Sequence, residues 1–315
     1  MQMFINGTSY DATNAMGFTY VVDYLVVSGQ GSKTYSSTAF NYDVVGMNGT
    51  MAVPTSQATI TAWVDGNTLY WNSNFSLTLV VTATAKAGAD SSYSGFALYD
   101  YTSGYRTVKL APDFTPFILS NVVDLAAGAQ YVDTGVPVSS GIIGFVRNRF
   151  DQGGNLSRSF FSTSNVNGQW RLTFGANANA FPIRLYVFAN KLPPIPSNGF
   201  YIYRDGNMVW HNNCLPLDLK WITTQYVEST TPIAVTTGVT AFMYQPQDPS
   251  YPLYGFERFM CSGCGILNGR WRTSNTEVYQ ATMVNVPTIP RGWVVGTKVA
   301  YIDCVPYDTY YPYSL

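Results

Sequence analysis

Alternating apolar and polar residues, interrupted at short intervals by Gly, Asn or Asp, run along most of the chain. Residues 77–85, LTLVVTATA, alternate with Thr, and residues 17–27, GFTYVVDYLVV, form a longer run that residues 28–31, SGQG, are expected to end. β-Branched and aromatic residues fit a pleated, half-buried surface, and period-two alternation is typical of strands. The pattern therefore predicts an all-β fold.

Two turn sequences predict β-hairpins. Residues 199–210, GFYIYRDGNMVW, form two short strand runs joined at Asp205–Gly206, and residues 65–67, DGN, join two further runs in the same way. A two-residue hairpin turn requires positive φ angles, which an Asp-Gly pair supplies. A looser version of the first pattern begins at Gly95, where GFALY is followed by SGY.

The order of these landmarks predicts an internal duplication. After Gly95 and again after Gly199 come a TGV triplet, an apolar strand, an NGxWR hairpin and a closing apolar strand, at nearly equal spacing. Repeats of this kind fix an architecture, and here they predict tandem small β-sandwich domains. The predicted domains are residues 1–90, either a degenerate third copy or a separate β domain; residues 94–193; and residues 197–315, with a loop insertion and an aromatic tail expected to dock on a neighbour.

Composition narrows the classes of partner. Charged residues make up 11% of the chain and aromatic residues 16%, including 24 Tyr, and the net charge is −1. This balance gives no electrostatic attraction to nucleic acid or to an anionic membrane. No segment approaches the roughly twenty apolar residues that a spanning helix needs, so we expect no membrane span.

The sequence carries little that could perform catalysis. It contains one His and no GxSxG motif, no phosphate-binding Gly loop ahead of a helix, and only scattered carboxylates. A glycosidase would need just two carboxylates, but the small number of Asp and Glu residues argues against one. We expect a protein that is not an enzyme and needs no cofactor.

Four cysteines lie in the last third of the chain. Cys261 and Cys264 have CxxC spacing, and His211 and Cys214 would complete a four-ligand zinc site. Zinc sites that can be recognised from sequence usually combine two CxxC units, and this chain has one. We therefore expect no metal and interpret the four cysteines as small buried apolar residues. A disulfide that involves Cys214 or Cys304 is the alternative if the mature particle is extracellular.

The predicted third domain contains a loop that the second lacks. Residues 286–293, VPTIPRGW, lie in this insertion. Loops on a rigid scaffold often carry recognition, and Trp and Arg are frequent at contact surfaces. The sequence leaves two interpretations open, a binding loop or a surface loop whose Trp packs on its own domain. The candidate contact residues are Pro287, Pro290, Arg291 and Trp293.

The GFxxY hairpin followed by a β-rich stretch and an NGxW hairpin resembles domains in tail-tip and tail-fibre proteins of long-tailed bacteriophages. Residues 199–210 carry the closer match and residues 95–108 the looser one. The match departs from the family pattern at Trp210–Asn212, where an aromatic residue, Asp and Ser are usual. The resemblance implies a structural protein of the virion and supplies no catalytic residues.

These observations together predict a non-enzymatic structural component of a bacteriophage tail tip, baseplate or tail fibre, made in the host cytoplasm. Expected partners are other tail proteins, copies of the same chain in a ring or trimer, and a receptor on the host surface. Two alternatives stay open: a capsid protein with duplicated β-barrels, and a carbohydrate-binding adhesin module. Bound glycan without an assembly partner would favour the second.

Overall fold

Nearly all the regular structure is strand, which confirms the predicted all-β fold. The computed structural model describes residues 2–5, 8–11, 20–38, 40–50, 60–85, 96–99, 106–110, 117–157, 161–174, 180–199, 201–204, 206–211, 213–223, 226–236, 239–246, 254–285, 293–294 and 299–310. The first strands are β1 (Gln2–Ile5), β2 (Thr8–Asp11), β3 (Tyr20–Thr34), β4 (Phe40–Thr50), β5 (Ile60–Asp65), β6 (Thr68–Ala85), β7 (Phe96–Tyr99), β8 (Arg106–Leu110), β9 (Ile118–Leu125), β10 (Tyr131–Pro137), β11 (Ile142–Asn148) and β12 (Phe161–Val166). They continue as β13 (Gln169–Phe174), β14 (Ile183–Ala189), β15 (Tyr201–Arg204), β16 (Asn207–His211), β17 (Lys220–Trp221), β18 (Glu228–Ser229), β19 (Ile233–Thr236), β20 (Val239–Pro246), β21 (Tyr254–Leu267), β22 (Arg270–Asn285), β23 (Trp293–Val294) and β24 (Ala300–Asp303), before the helix α1 (Val305–Tyr310).

A six-stranded antiparallel sheet lies at the centre, with the strand order β17-β24-β19-β11-β14-β9. Strand β11 joins its two halves, because it pairs with β14 on one side and with β19 on the other. Strands β9, β11 and β14 belong to residues 94–193, whereas β17, β19 and β24 belong to residues 197–315. One sheet therefore contains strands from both predicted repeats, and the division into domains stays a prediction.

The central sheet is packed on both faces. On one face Gly144 of β11 lies under Phe161 of the three-stranded sheet β10-β13-β12, and a Cβ atom at Gly144 would lie 2.4 Å from Phe161 Cζ. On the other face, the ring centroid of Phe188 in β14 lies 5.0 Å from that of Tyr307 in α1. Because both faces are covered, β11 and β14 are almost entirely buried along their length.

The helix α1 closes the second face of this core. Tyr307 is 3% exposed, its hydroxyl donates to the Pro216 carbonyl oxygen at 2.9 Å, and it accepts from the backbone N–H of Asp218 at 2.9 Å. The aromatic tail thus docks on its own chain through Tyr307, whereas residues 311–313 of the tail lie outside the described residues. The buried phenol satisfies its polar atom, as a buried Tyr requires.

The N-terminal sheet is bent around a single long strand. The first half of β6 pairs with β5 and with the end of β3, and its second half pairs with β4 and with the start of β3. A register shift between Val27 and Gly29, with φ 71° at Gly29, marks the bend in β3. The predicted end of this strand at residues 28–31 is therefore wrong, because the glycine bends the strand without ending it.

The predicted hairpin turns are present. Gly66 and Gly206 have φ values of 60° and 79°. At the first hairpin Asp65 pairs with Thr68, so the two central turn residues are Gly66 and Asn67 and not the predicted Asp65 and Gly66. Asn167 and Asn268 both have φ 53° and each is followed by a glycine with positive φ, at the β12–β13 and β21–β22 turns. Positive φ at both central residues is the signature of a type I′ turn. Among the described residues, no helix is long and apolar enough to cross a membrane.

Candidate binding surface

The N-terminal sheet presents an exposed tryptophan stacked on a tyrosine. Trp63 lies on the edge strand β5, is 50% exposed, and is the cross-strand neighbour of Tyr70 in β6. The two rings are stacked, with centroids 5.4 Å apart and planes inclined by 15°. Tyr70 therefore covers one face of the indole, and the exposed surface of Trp63 is its other face and rim.

Polar side chains continue the same face of the sheet. The register aligns Gln30, Asn72 and Thr61 in one row, and Ser32, Tyr70 and Trp63 in the next. Residues two apart in a strand share a face, so the two rows form one continuous surface across β3, β6 and β5. We name this surface the Trp63 face and define it by six residues: Gln30, Ser32, Thr61, Trp63, Tyr70 and Asn72.

The opposite side of these strands is packed. Leu69 and Ala62 are buried, and Trp71 lies over Gly31, where a Cβ atom would approach Trp71 Cζ2 to 2.3 Å. Glycine is required at this close approach, because any side chain would displace the indole. The Trp63 face is thus backed by a packed interior that fixes the strands beneath it.

Charged groups lie at the border of this surface or behind it. Lys33 alternates to the other side of β3 and forms an ion pair with Asp23, and Asp65 stands at the end of β5. The Tyr35 hydroxyl donates to the Asp23 carboxylate at 3.0 Å, and burial together with this carboxylate raises the pKa of Tyr35. None of the six residues of the Trp63 face is charged.

A second concentration of polar groups lies beneath α1 and is structural. The Arg147 guanidinium, 5% exposed, donates to Asp308 at 3.1 Å and to the Tyr186 hydroxyl at 3.0 Å. Tyr186 in turn donates to Asp308 at 2.8 Å, and burial raises the pKa of Tyr186 so that it keeps this proton. Arg184 joins Asp308 to Asp124, and its hydrogen bonds lower the pKa of Asp124.

The two NGxWR hairpins carry matching clusters. Arg171 donates through two nitrogens to Asp133 of β10 and lies 4.0 Å from the Tyr131 ring centroid. Trp170, which precedes it, packs against the main core. In the second hairpin the corresponding residues are Trp271, Arg272, Glu228 and Tyr226, and the guanidinium lies 3.8 Å from the Tyr226 centroid and 3.9 Å from Glu228.

Of the residues considered as metal ligands, His211 and Cys214 are in contact, whereas Cys264 is buried in a different cluster. Cys214 lies in a small cluster with Ile118 and Trp210, and its sulfur accepts from the backbone N–H of His211 at 3.3 Å. Cys264 lies in another cluster, where its thiol donates to the Ile233 carbonyl oxygen at 3.0 Å.

The chemistry of these thiols also gives no support for a metal site. All four cysteines, Cys261 and Cys304 included, are free and buried, and burial raises the pKa of Cys214 and of Cys304 to about 12. Metal binding needs the thiolate form. Within the described ranges, no group of three or more His, Cys, Asp or Glu residues could hold a metal ion.

The predicted binding loop falls largely outside the described residues. Pro287, Pro290 and Arg291 are not among them, and Trp293 is described only as part of the short strand β23, opposite Phe242 of β20. The proposal that this loop makes contacts stays a prediction.

The sequence contained a signal for the Trp63 face that the hairpin prediction did not use. In residues 61–65, TAWVD, alternation along a strand places the tryptophan on the same side as Thr61 and Asp65 and places Ala62 and Val64 on the opposite side. Alternation places the tryptophan on the polar side of the strand. The stacked partner and the third strand required the structure.

No protein-family model, curated protein or solved structure matches this chain. The resemblance to phage tail proteins therefore stays a proposal.

Proposed function

We propose that this chain is a non-enzymatic structural component of a virion, in a bacteriophage tail tip, baseplate or tail fibre. The observation that carries the proposal is the use of charged side chains. Arg147, Arg171 and Arg184 each pair with an aspartate of another strand or of α1, and they do not converge on an open site. Arginine–aspartate pairs that connect strands to each other and to α1 stabilise the fold, and this is expected of a structural protein.

The architecture supports the same proposal. One six-stranded sheet contains strands from both predicted repeats, and α1 closes it, so the two segments cannot separate without breaking the pairing of β11 with β19. The hairpin of β15 and β16 carries the sequence that resembles tail proteins, with Trp210 buried and Tyr203 59% exposed. Assembly with other tail proteins and contact with a host receptor belong to this proposal.

Purified full-length protein tests the proposal by light scattering after size exclusion and by negative-stain electron microscopy. We expect a ring or a trimer, since tail components follow the axis of the particle. Genes for a tape-measure or tail-tube protein beside its own gene would support a tail position, and assembly into closed shells would favour a capsid. A strictly monomeric protein that hydrolyses cell-wall glycans would refute it.

A further inference from the structure

We propose that the Trp63 face is a binding site for a neutral carbohydrate. The inference goes beyond the proposed structural role, because it concerns the isolated chain whether or not the chain assembles. It is carried by the Trp63–Tyr70 stack, by the hydroxyl and amide groups on the same side of the sheet, and by the lack of a cationic residue among them. Asp65, which shares this side of β5, adds an acidic group at the border of the face.

The stack supplies the apolar part of the recognition. A sugar ring presents a face of C–H groups, which pack on the face of an aromatic ring. Trp63 offers one such face, because Tyr70 covers the other at a centroid distance of 5.4 Å. The Tyr70 contact also holds the indole in one orientation, so little side-chain entropy is lost when a ligand binds.

The polar residues of the Trp63 face supply hydrogen bonds to the sugar hydroxyls. Thr61 lies on β5 with Trp63, Asn72 lies opposite Thr61 on β6, and Gln30 and Ser32 lie on β3, on the far side of Tyr70. All four carry groups that both donate and accept hydrogen bonds, those on β3 being placed for a sugar ring further along a bound oligosaccharide. Sugar hydroxyls do the same, so either partner can take either role. Rows of the face are about 6.7 Å apart along the strands and strands about 4.8 Å apart across them, so the surface is long enough for more than one sugar ring.

The distribution of charge separates carbohydrate from other ligands that stack on aromatic rings. Single-stranded nucleic acid needs cationic groups beside the aromatic platform. The nearest Lys on these strands, Lys33, lies on the other side of β3 and is paired with Asp23. The nearest charge at the border, Asp65, would repel a phosphate or an acidic polysaccharide.

Binding of the full-length protein to a panel of immobilised neutral and acidic polysaccharides tests the proposal, with tryptophan fluorescence titration of any soluble oligosaccharide that binds. We expect Trp63→Ala to weaken binding about tenfold or more, because it removes the aromatic surface on which the sugar packs. Trp63→Phe keeps a ring and should recover part of the affinity, and Asn72→Ala should weaken binding less than Trp63→Ala.

Phe150→Ala is the matched control, because Phe150 is an aromatic residue of similar exposure, 54%, that follows β11 and is not part of the N-terminal sheet. Its affinity for the polysaccharide should equal that of the wild type. Circular dichroism of each variant checks that the fold is kept. Failure of the wild type to bind any neutral polysaccharide, binding to acidic polymers or proteins alone, or equal loss in the Trp63 and Phe150 variants would each overturn the inference. None of these outcomes bears on whether the protein forms a ring or trimer.

Discussion

Removing the carboxylate of Asp308 tests how the C-terminal helix is held on the central sheet. In the variant Asp308→Ala, the Arg147 guanidinium loses its acidic partner at 3.1 Å while it stays buried at 5% exposure. Tyr186 and Arg184 lose acceptors in the same step, at 2.8 and 3.0 Å. The variant therefore leaves the buried Arg147 charge without an acidic partner.

The size of the effect follows from what remains around Arg147. Breaking a buried ion pair by removing one partner costs about 3–5 kcal/mol of folding free energy. Arg147 keeps a hydrogen bond to the Asn148 carbonyl oxygen at 3.1 Å and lies 4.8 Å from the Trp271 ring centroid. Asp308 is itself 22% exposed, so some of its interaction is already screened. We expect a loss at the lower end of this range, about 3 kcal/mol.

Urea denaturation followed by circular dichroism and tryptophan fluorescence measures this loss. Asp133→Ala is the matched control, because it removes an aspartate that an arginine binds through two nitrogens at the surface. We expect a much smaller change there, since exposed ion pairs contribute little. In an Arg147→Met background Asp308→Ala should cost less folding free energy, because no buried guanidinium at position 147 then loses its partner.

Two results would refute this reasoning. The first is a loss for Asp308→Ala no larger than that for Asp133→Ala. The second is an undiminished loss in the Arg147→Met background, which would show that the helix depends on Asp308 in some other way.

Two further predictions concern the core. Burial lowers the pKa of His211, the single histidine, below its ordinary value of 6.5, so the unfolded chain takes up the proton first as pH falls. The melting temperature should therefore be highest above pH 6.5 and should decrease as the pH falls below it. In His211→Asn the melting temperature should depend less on pH in this range, and an unchanged dependence would contradict the role assigned to His211. Gly144→Ala places a Cβ atom 2.4 Å from Phe161 Cζ and should cost about 1–3 kcal/mol in urea denaturation. Gly141→Ala, where the nearest contact would be 3.1 Å, should cost less, and equal losses at the two positions would contradict the packing argument.

Local features of the fold followed from the sequence. The alternating and apolar runs identified strands such as β6, β11 and β14, the Asp-Gly pair identified a turn with positive φ at Gly206, and the NGxWR pattern identified the hairpin that turns at Asn167. These properties depend on side chains next to each other in the chain, so they could be read without knowing its path. The matching Trp-Arg pairs were visible for the same reason, although their acidic partners were not.

What each strand packs against was decided by the tertiary structure. Alternation at residues 61–65 separates two sides of β5, but it cannot show that β3 continues past Gly29 and pairs with the same half of β6 as β5 does. Nor could it show that β11 pairs with β19 from the other predicted repeat, or that Asp308 of the tail neutralises Arg147. Contacts between residues far apart in the chain depend on register and on loop closure, which local patterns of hydrophobicity do not encode.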